Sequence, residues 1–342
     1  MTVLAPRDIL RWSPDPPVGR AAIITAALAM APPVAYGVLS GHLVHASYAA
    51  LGAMATALPS GLSAGGWRHF SSFGGRAVRL GVVGMVVTAA AFAGAWLGGR
   101  GWVTAIGVVV LAAVAGVVGG FSRWTADVTT RFVTFLVIAT GVGAAADPAE
   151  VALWFAIGAA WAVVVALPFL SAQSRAAGPS YEALRRRWLR NLRRADGWRY
   201  PAQLLPCLAL AEVIGVLWHQ DKAYWIAVAV VIVLRRGGGS LLRATQRCLG
   251  TCIGVLIGAA VILWVPPSWV IVAIVALLAG ARPLLKVRNY AAYATVMTPL
   301  LVLLLDLGRT PALSTVGYRL IDTVFGCSIA LIPSVVRRIH VG

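Results

Sequence analysis

A chain of 342 residues that is 60% hydrophobic and only 12% charged, with a mean hydropathy of +0.84, is excluded from the soluble globular class, where about a quarter of residues carry charge. The formal charge of +18 would point to nucleic acid in a soluble protein, so the placement of the 29 basic residues decides that question.

Residues 1–17 hold Arg7, Asp8, Arg11, Asp15 and four prolines before any apolar run, so no cleavable signal peptide is expected. Apolar segments follow near 18–38, 46–60, 80–98, 102–120, 131–146 and 150–170. After a polar stretch they resume near 203–219, 223–234, 248–265, 268–280, 290–305 and 316–336. About 20 apolar residues are needed to cross a hydrocarbon core of about 30 Å, so these runs predict an all-α polytopic bundle of about twelve spans. Its units are a tail (1–17), a six-helix repeat (18–170), a basic linker (171–200), a second six-helix repeat (201–336) and a tail (337–342).

With this division 25 of the basic residues fall in the tails and alternate loops of one side, among them Arg131, Arg243, Arg247, Arg282 and Lys286. The other side holds Arg100, Lys222 and Arg309, and Arg319 lies inside a segment. The positive-inside rule then places both termini in the cytoplasm of a bacterial-type inner membrane, in contact with an anionic inner leaflet. It also accounts for the charge without nucleic acid as a partner.

Six segments on either side of the linker make the two repeats parallel. His45-Ala-Ser-Tyr48 opens the second segment and Asp221-Lys-Ala-Tyr224-Trp225 the eighth; Arg76 and Arg79 enter the third, Arg243 and Arg247 the ninth. The second and eighth segments are short, as is the tenth, and short segments in matched positions point to a substrate path. Tyr48, Tyr224 and Trp225 are therefore cavity candidates, with an interfacial aromatic belt as the alternative. Gly250, Gly254 and Gly258 line one helix face and are read as helix-packing positions. In the linker, Tyr181, Leu184, Trp188, Leu192 and Ala195 share a face with the arginines opposite, which predicts a helix on the inner leaflet, or else a basic connector or assembly contact.

Most of the eleven acidic residues lie in loops; Glu212 and Asp322 lie inside spans, as does Arg319. An intramembrane charge costs several kcal/mol unless paired, neutralised or facing a wet cavity. At 1.5 Å per residue Glu212, Arg319 and Asp322 sit roughly 10, 7 and 12 Å below the outer end, so one layer could hold all three. They are candidates for anion binding and proton coupling; a purely structural Arg319–Asp322 pair is the alternative. Cys207, Cys248, Cys252 and Cys327 fall in spans with no CxxC pair, and the histidines have no ligand spacing, so no disulfide, metal or cofactor is implied. Arg235-Arg-Gly-Gly-Gly-Ser240 lacks the ending of a nucleotide-binding loop, hydrolase motifs are absent, and no enzyme is expected.

Arg247-Cys-Leu-Gly250-Thr251-Cys-Ile-Gly254, followed by Arg319-Leu-Ile-Asp322-Thr323-Val-Phe-Gly326, resembles the fusaric acid resistance protein-like family, which includes aromatic acid exporters. The resemblance implies a duplicated six-helix membrane module and export of small organic anions, aromatic carboxylates among them, driven by protons. Well-known members carry a large cytoplasmic domain that the linker here does not supply, and the first repeat lacks the arginine and aspartate motif. An anion channel resembling plant aluminium-activated malate transporters and a non-transporting scaffold stay open as alternatives, as does a homo-oligomer.

Overall fold

The computed structural model describes residues 11–13, 18–57, 73–170, 180–218, 222–234, 240–264, 267–305 and 313–341. The expectations on Arg7, Asp15, His69, His219, Asp221, the 235–239 glycine loop, Asp306 and Arg309 lie outside the described residues. The described residues hold no strand.

Six apolar helices come first: α1 (Arg20–Ser40), α2 (Leu43–Thr56), α3 (Phe73–Leu97), α4 (Trp102–Val118), α5 (Arg123–Val142) and α6 (Pro148–Ala166). An amphipathic α7 (Tyr181–Leu192) follows. Six more complete the chain: α8 (Ala195–Trp218), α9 (Tyr224–Val233), α10 (Ser240–Trp264), α11 (Ser268–Arg288), α12 (Tyr290–Leu305) and α13 (Leu313–Val341). Local signals set several ends. The Ser122 hydroxyl accepts from the Thr125 amide at 3.1 Å and caps α5. Asp147 accepts from the Ala149 amide at 3.0 Å with Pro148 in the first turn of α6. Gly41, at φ 76°, turns the chain out of α1 in a left-handed conformation that a side chain disfavours.

Eight of the helices are long and apolar enough to cross a membrane: α1, α3, α5, α6, α8, α10, α11 and α13. The other four apolar helices are shorter, at 14 residues for α2, 17 for α4, 10 for α9 and 16 for α12. At 1.5 Å per residue α9 extends only about 15 Å, half a hydrocarbon core. The brevity expected of the second and eighth segments is thus present, but the tenth is a full helix of 21 residues, because α11 continues past Gly280 through Arg282 and Lys286 to Arg288.

The packing partners of α1–α6 recur among α8–α13. Helix α2 packs on α1, α3 and α6, and α9 on α8, α10 and α13; α3 packs on α5 and α6, and α10 on α12 and α13. Contacts between the halves are matched as well, with α1 against α11 and α8 against α4, then α2 against α12 and α9 against α5. The two shortest apolar helices, α2 and α9, occupy the centre. Every residue from Ala46 to Thr56 in α2 and from Trp225 to Val231 in α9 is buried, while α4 exposes Val103, Ile106, Val110 and Val114. That is the distribution of a bundle whose outer helices meet lipid.

Close approach of backbones makes this possible. Carbonyl atoms of Ala49 in α2 occupy the space a side chain at Gly158 of α6 would need, and in the other half Ile226 of α9 does the same to Gly326 of α13. Gly250 lies against Ala291 of α12, Gly254 against the Thr295 carbonyl, where an added Cβ would come within 2.7 Å, and Gly258 against Pro299.

Helix α7 sits on the bundle itself. The Trp188 indole donates to the Val117 carbonyl at 3.2 Å at the end of α4, and Phe121 meets both Trp188 and Tyr181. The apolar face expected to lie on lipid is partly spent on protein, while Arg185, Arg186, Arg187 and Arg190 remain exposed.

Gly158→Ala is expected to force α2 and α6 apart and lower the melting temperature in detergent. Gly81→Ala, where a Cβ meets open space, is expected to leave it unchanged or raise it slightly, since glycine in a helix interior costs roughly 0.5–1 kcal/mol.

Candidate functional site

Two cavities lie on the seam between the halves, at opposite ends of the central helices. The first, of about 250 Å³, opens at the end where α5 and α10 begin and α2, α9 and α11 finish. Five basic residues line it, Arg131, Arg243, Arg247, Arg282 and Lys286, and among the described residues no carboxylate does. Tyr290, Tyr293, Phe135, Met54 and Met297 are part of the remaining wall, with Ile138 and Val228 at its inner end.

Two of these arginines are held by a requirement of the backbone. A helix leaves its last carbonyls without partners, and a buried carbonyl must find a donor. At the end of α2 the Ala57 amide takes the Ala53 carbonyl at 2.9 Å, while the Ala57 backbone is itself buried. The Met54 carbonyl accepts from Arg282 Nη2 at 3.2 Å, and the Ala55 carbonyl accepts from Arg131 Nη1. One cap comes from α5 and the other from α11, so the end of α2 ties the halves together. Positive charge at a helix C-terminus is also favoured by the helix dipole.

These caps use only part of each guanidinium. Arg282 Nε and Arg247 Nε are buried with no hydrogen-bond partner. Arg247 is 6% exposed. Arg243 lies with its guanidinium 5.0 Å from the Tyr290 ring centre, and the Tyr290 and Tyr293 rings are 5.7 Å apart. Buried cationic donors without a carboxylate, walled by aromatic rings, form a place where a small anion would be bound by charge-assisted hydrogen bonds.

The second cavity, of about 310 Å³, is at the far end and is lined by Gly99, Gly101, Thr104, Thr140, Gly141, Ala144, Ala211, Glu212, Gly215, Val216, Ala223, Tyr224 and Ala227. Glu212 is its one acidic or basic side chain among the described residues, and Glu212 Oε1 is buried without a hydrogen-bond partner among them.

The residues singled out from sequence separate into distinct places. Glu212 and Tyr224 share the second cavity, where the Tyr224 ring fills the space beside Gly141. Trp225 is buried beneath the guanidinium of Arg319, which sits 3.7 Å from the ring centre. Asp322 is completely buried on α13 and lines neither cavity. Tyr48 donates to the Val142 carbonyl at 3.2 Å and packs against Phe155. Among the described residues no cluster of three His, Cys, Asp or Glu side chains could hold a metal ion.

The basic cavity was missed in the sequence because its arginines were assigned to loops. Helix α5 begins at Arg123, before Arg131; α10 begins at Ser240, before Arg243 and Arg247; α11 runs on past Arg282. Spacing was the available signal, since Arg243 and Arg247, and Arg282 and Lys286, are four apart and so share a helix face.

The helices that build most of this site carry a recognisable sequence. Residues 208–332 match the fusaric acid resistance protein-like family. The fusaric acid resistance protein-like segment takes in Glu212, Trp225, Arg243, Arg247, Arg282, Lys286, Tyr290, Tyr293, Arg319 and Asp322, while Arg131 lies outside it. Over 134 residues the chain is 31% identical to an uncharacterized protein, YhfK, of Escherichia coli strain K12; the match covers 39% of this chain and 19% of that protein. The chain thus aligns with about a fifth of the relative's length. No solved structure matches the chain.

Arg282→Leu is expected to leave the Met54 carbonyl buried without a donor and to destabilise the folded protein by roughly 1–3 kcal/mol. Thermal unfolding in detergent checks this. The exposed Arg288→Gln is the matched control, expected to unfold as the parent does.

Proposed function

We propose that this is a membrane transporter for small organic anions, loaded in the basic cavity between its two halves. The observation that carries the reading is the set of five basic side chains around one cavity that no carboxylate lines among the described residues, two of them with a buried Nε that no described residue satisfies. A structural role for the arginines explains the contacts of Arg131 and Arg282 with α2 and of Arg247 with Tyr290, but it leaves the buried Nε of Arg247 and of Arg282 unmet among the described residues. The match to the fusaric acid resistance protein-like family over 208–332 supports transport as the role.

Size and chemistry narrow the ligand. Sites for drug-sized molecules run from roughly 300 to 1,000 Å³, so a cavity of about 250 Å³ suits something smaller. Tyrosine and phenylalanine beside arginine favour a planar carboxylate, such as a benzoate, over a hydrated inorganic ion. The matched packing of α1–α6 and α8–α13 supports two parallel six-helix repeats, twelve crossings with four short ones at or near the seam, and rocking of one half on the other as the means of access. The excess of basic residues at one end supports placing that end, both termini and the loaded cavity in the cytoplasm, and hence export from a bacterial inner membrane. Proton coupling through Glu212 or Asp322 belongs to the same proposal.

A channel for anions is the second reading, favoured by the alignment of the two cavities along one seam. Proteoliposomes distinguish the two. A transporter gives saturable, counterflow-capable benzoate uptake and no unitary currents, whereas a channel gives unitary anion currents in planar bilayers.

Arg247→Gln is expected to weaken benzoate binding to the purified protein by about ten- to a hundredfold, the worth of one charge-assisted hydrogen bond of roughly 1.5–3 kcal/mol. Equilibrium binding of radiolabelled benzoate checks it. Arg243→Gln, in a partly exposed position, is expected to weaken binding by a smaller factor.

A further inference from the structure

The second cavity has the opposite chemistry to the first. Glu212 is its only carboxyl group among the described residues, and no described lysine, arginine or histidine lines it. A buried carboxylate oxygen without a partner is unstable in an apolar bundle unless it is neutralised by a proton or a cation. The oxygens around it can accept. The Thr140 hydroxyl donates to the Val137 carbonyl at 2.7 Å, which leaves its oxygen as an acceptor; the Thr104 hydroxyl donates to the Leu97 carbonyl and accepts from the Arg100 amide at 3.2 Å, which leaves it one lone pair.

The two cavities approach each other along α5 and α9. Ile138 of α5 lines the basic cavity and Thr140 the acidic one; on α9, Val228 lines the basic cavity and its neighbour Ala227 the acidic one. With a rise of 1.5 Å per residue, the wall between them is about one side-chain layer thick. Ile138 and Val228 are 2% and 1% exposed and close it.

We infer that the cavity around Glu212 is a second binding site, for a monovalent cation, a proton or an alkali metal ion, placed on the same seam as the anion site. A positive charge taken up at Glu212 then lies on the same seam as the anion proposed for the basic cavity, and each lowers the cost of the other in a low-dielectric bundle. This rests on the anion-transport reading for its purpose but not for its observations.

The groups facing Glu212 from the elements packed on α8 are few. Helix α9 brings Tyr224, with Lys222 in the turn before it. Helix α4 brings Thr104, with Arg100 drawn aside at 4.4 Å over the Trp96 ring. Helix α13 carries Tyr318, Arg319, which lies over Trp225, and Asp322. Helix α7 meets α8 near Trp198, whose indole donates to the Leu192 carbonyl at the opposite end of the bundle.

Dicyclohexylcarbodiimide, which modifies protonated carboxyl groups in apolar surroundings, tests the inference on the intact protein in liposomes. Adducts are mapped by peptide mass spectrometry between pH 5.5 and 8.5, with and without 100 mM sodium or potassium chloride. The expected result is an adduct on Glu212. Its decline as pH rises, with no effect of the salts, identifies the proton as the ligand. Its suppression at fixed pH by one salt and not by choline chloride identifies that alkali metal ion. Absence of an adduct on Glu212 at every pH in metal-free choline buffer, while the same peptide is recovered unmodified, overturns the site. Labelling needs no anion flux, so its failure leaves the basic cavity standing, and loss of benzoate binding leaves the labelling result standing.

Discussion

The rest of the structure depends on how the short helix α2 ends. In a hydrocarbon solvent a backbone carbonyl without a donor is penalised by several kcal/mol. Helix α2 finishes inside the bundle after 14 residues, and its Met54 and Ala55 carbonyls are capped by arginines from α11 and α5. A short central helix thus calls positive charge into the interior, and because the two donors belong to different halves, the cap is also the joint between them.

Once those arginines are present, the cavity around them follows. Their fixed contacts use some of the donors of each guanidinium; Arg243, Arg247 and Lys286 add charge from α10 and α11, and nothing acidic lines the space. An empty site of this kind is costly, because like charges repel and buried donors go unmet. An anion removes both penalties at once. In the proposed reading, binding energy therefore comes from a site that the fold builds for its own reasons, and the wall of Ile138 and Val228 sets it next to the cavity that holds Glu212.

Much of the scaffold was legible in the sequence. Long apolar runs have one solution in a bilayer, and the runs near 80–98, 150–170 and 203–219 lie largely within α3, α6 and α8. The brevity of α2 and α9 was legible for the same reason, as was the isolation of Glu212 within an apolar stretch. The basic cavity was not, because a hydropathy reading ends a span at the first arginine, and here α5, α10 and α11 carry arginines well inside their helical turns. Whether such an arginine faces lipid headgroups, a helix end or a cavity depends on partners tens to hundreds of residues away, as Arg282 and Met54 show. Arg319 illustrates the same limit: its place three residues before Asp322 suggested an interaction along one helix, but gave no sign that its guanidinium also lies on the ring of Trp225 from α9.

The central claim is that the cavity between Arg247, Arg282 and Tyr290 holds a small organic anion. Crystals of the protein grown with 4-iodobenzoate, measured at a wavelength where iodine scatters anomalously, test it most directly. The account predicts an iodine peak within the basic cavity, with the carboxylate directed at the Arg247 and Arg282 guanidinium groups, and loss of that peak in Arg247→Gln crystals. A peak confined to the lipid-facing surface, or a basic cavity that stays empty at saturating ligand, would contradict it.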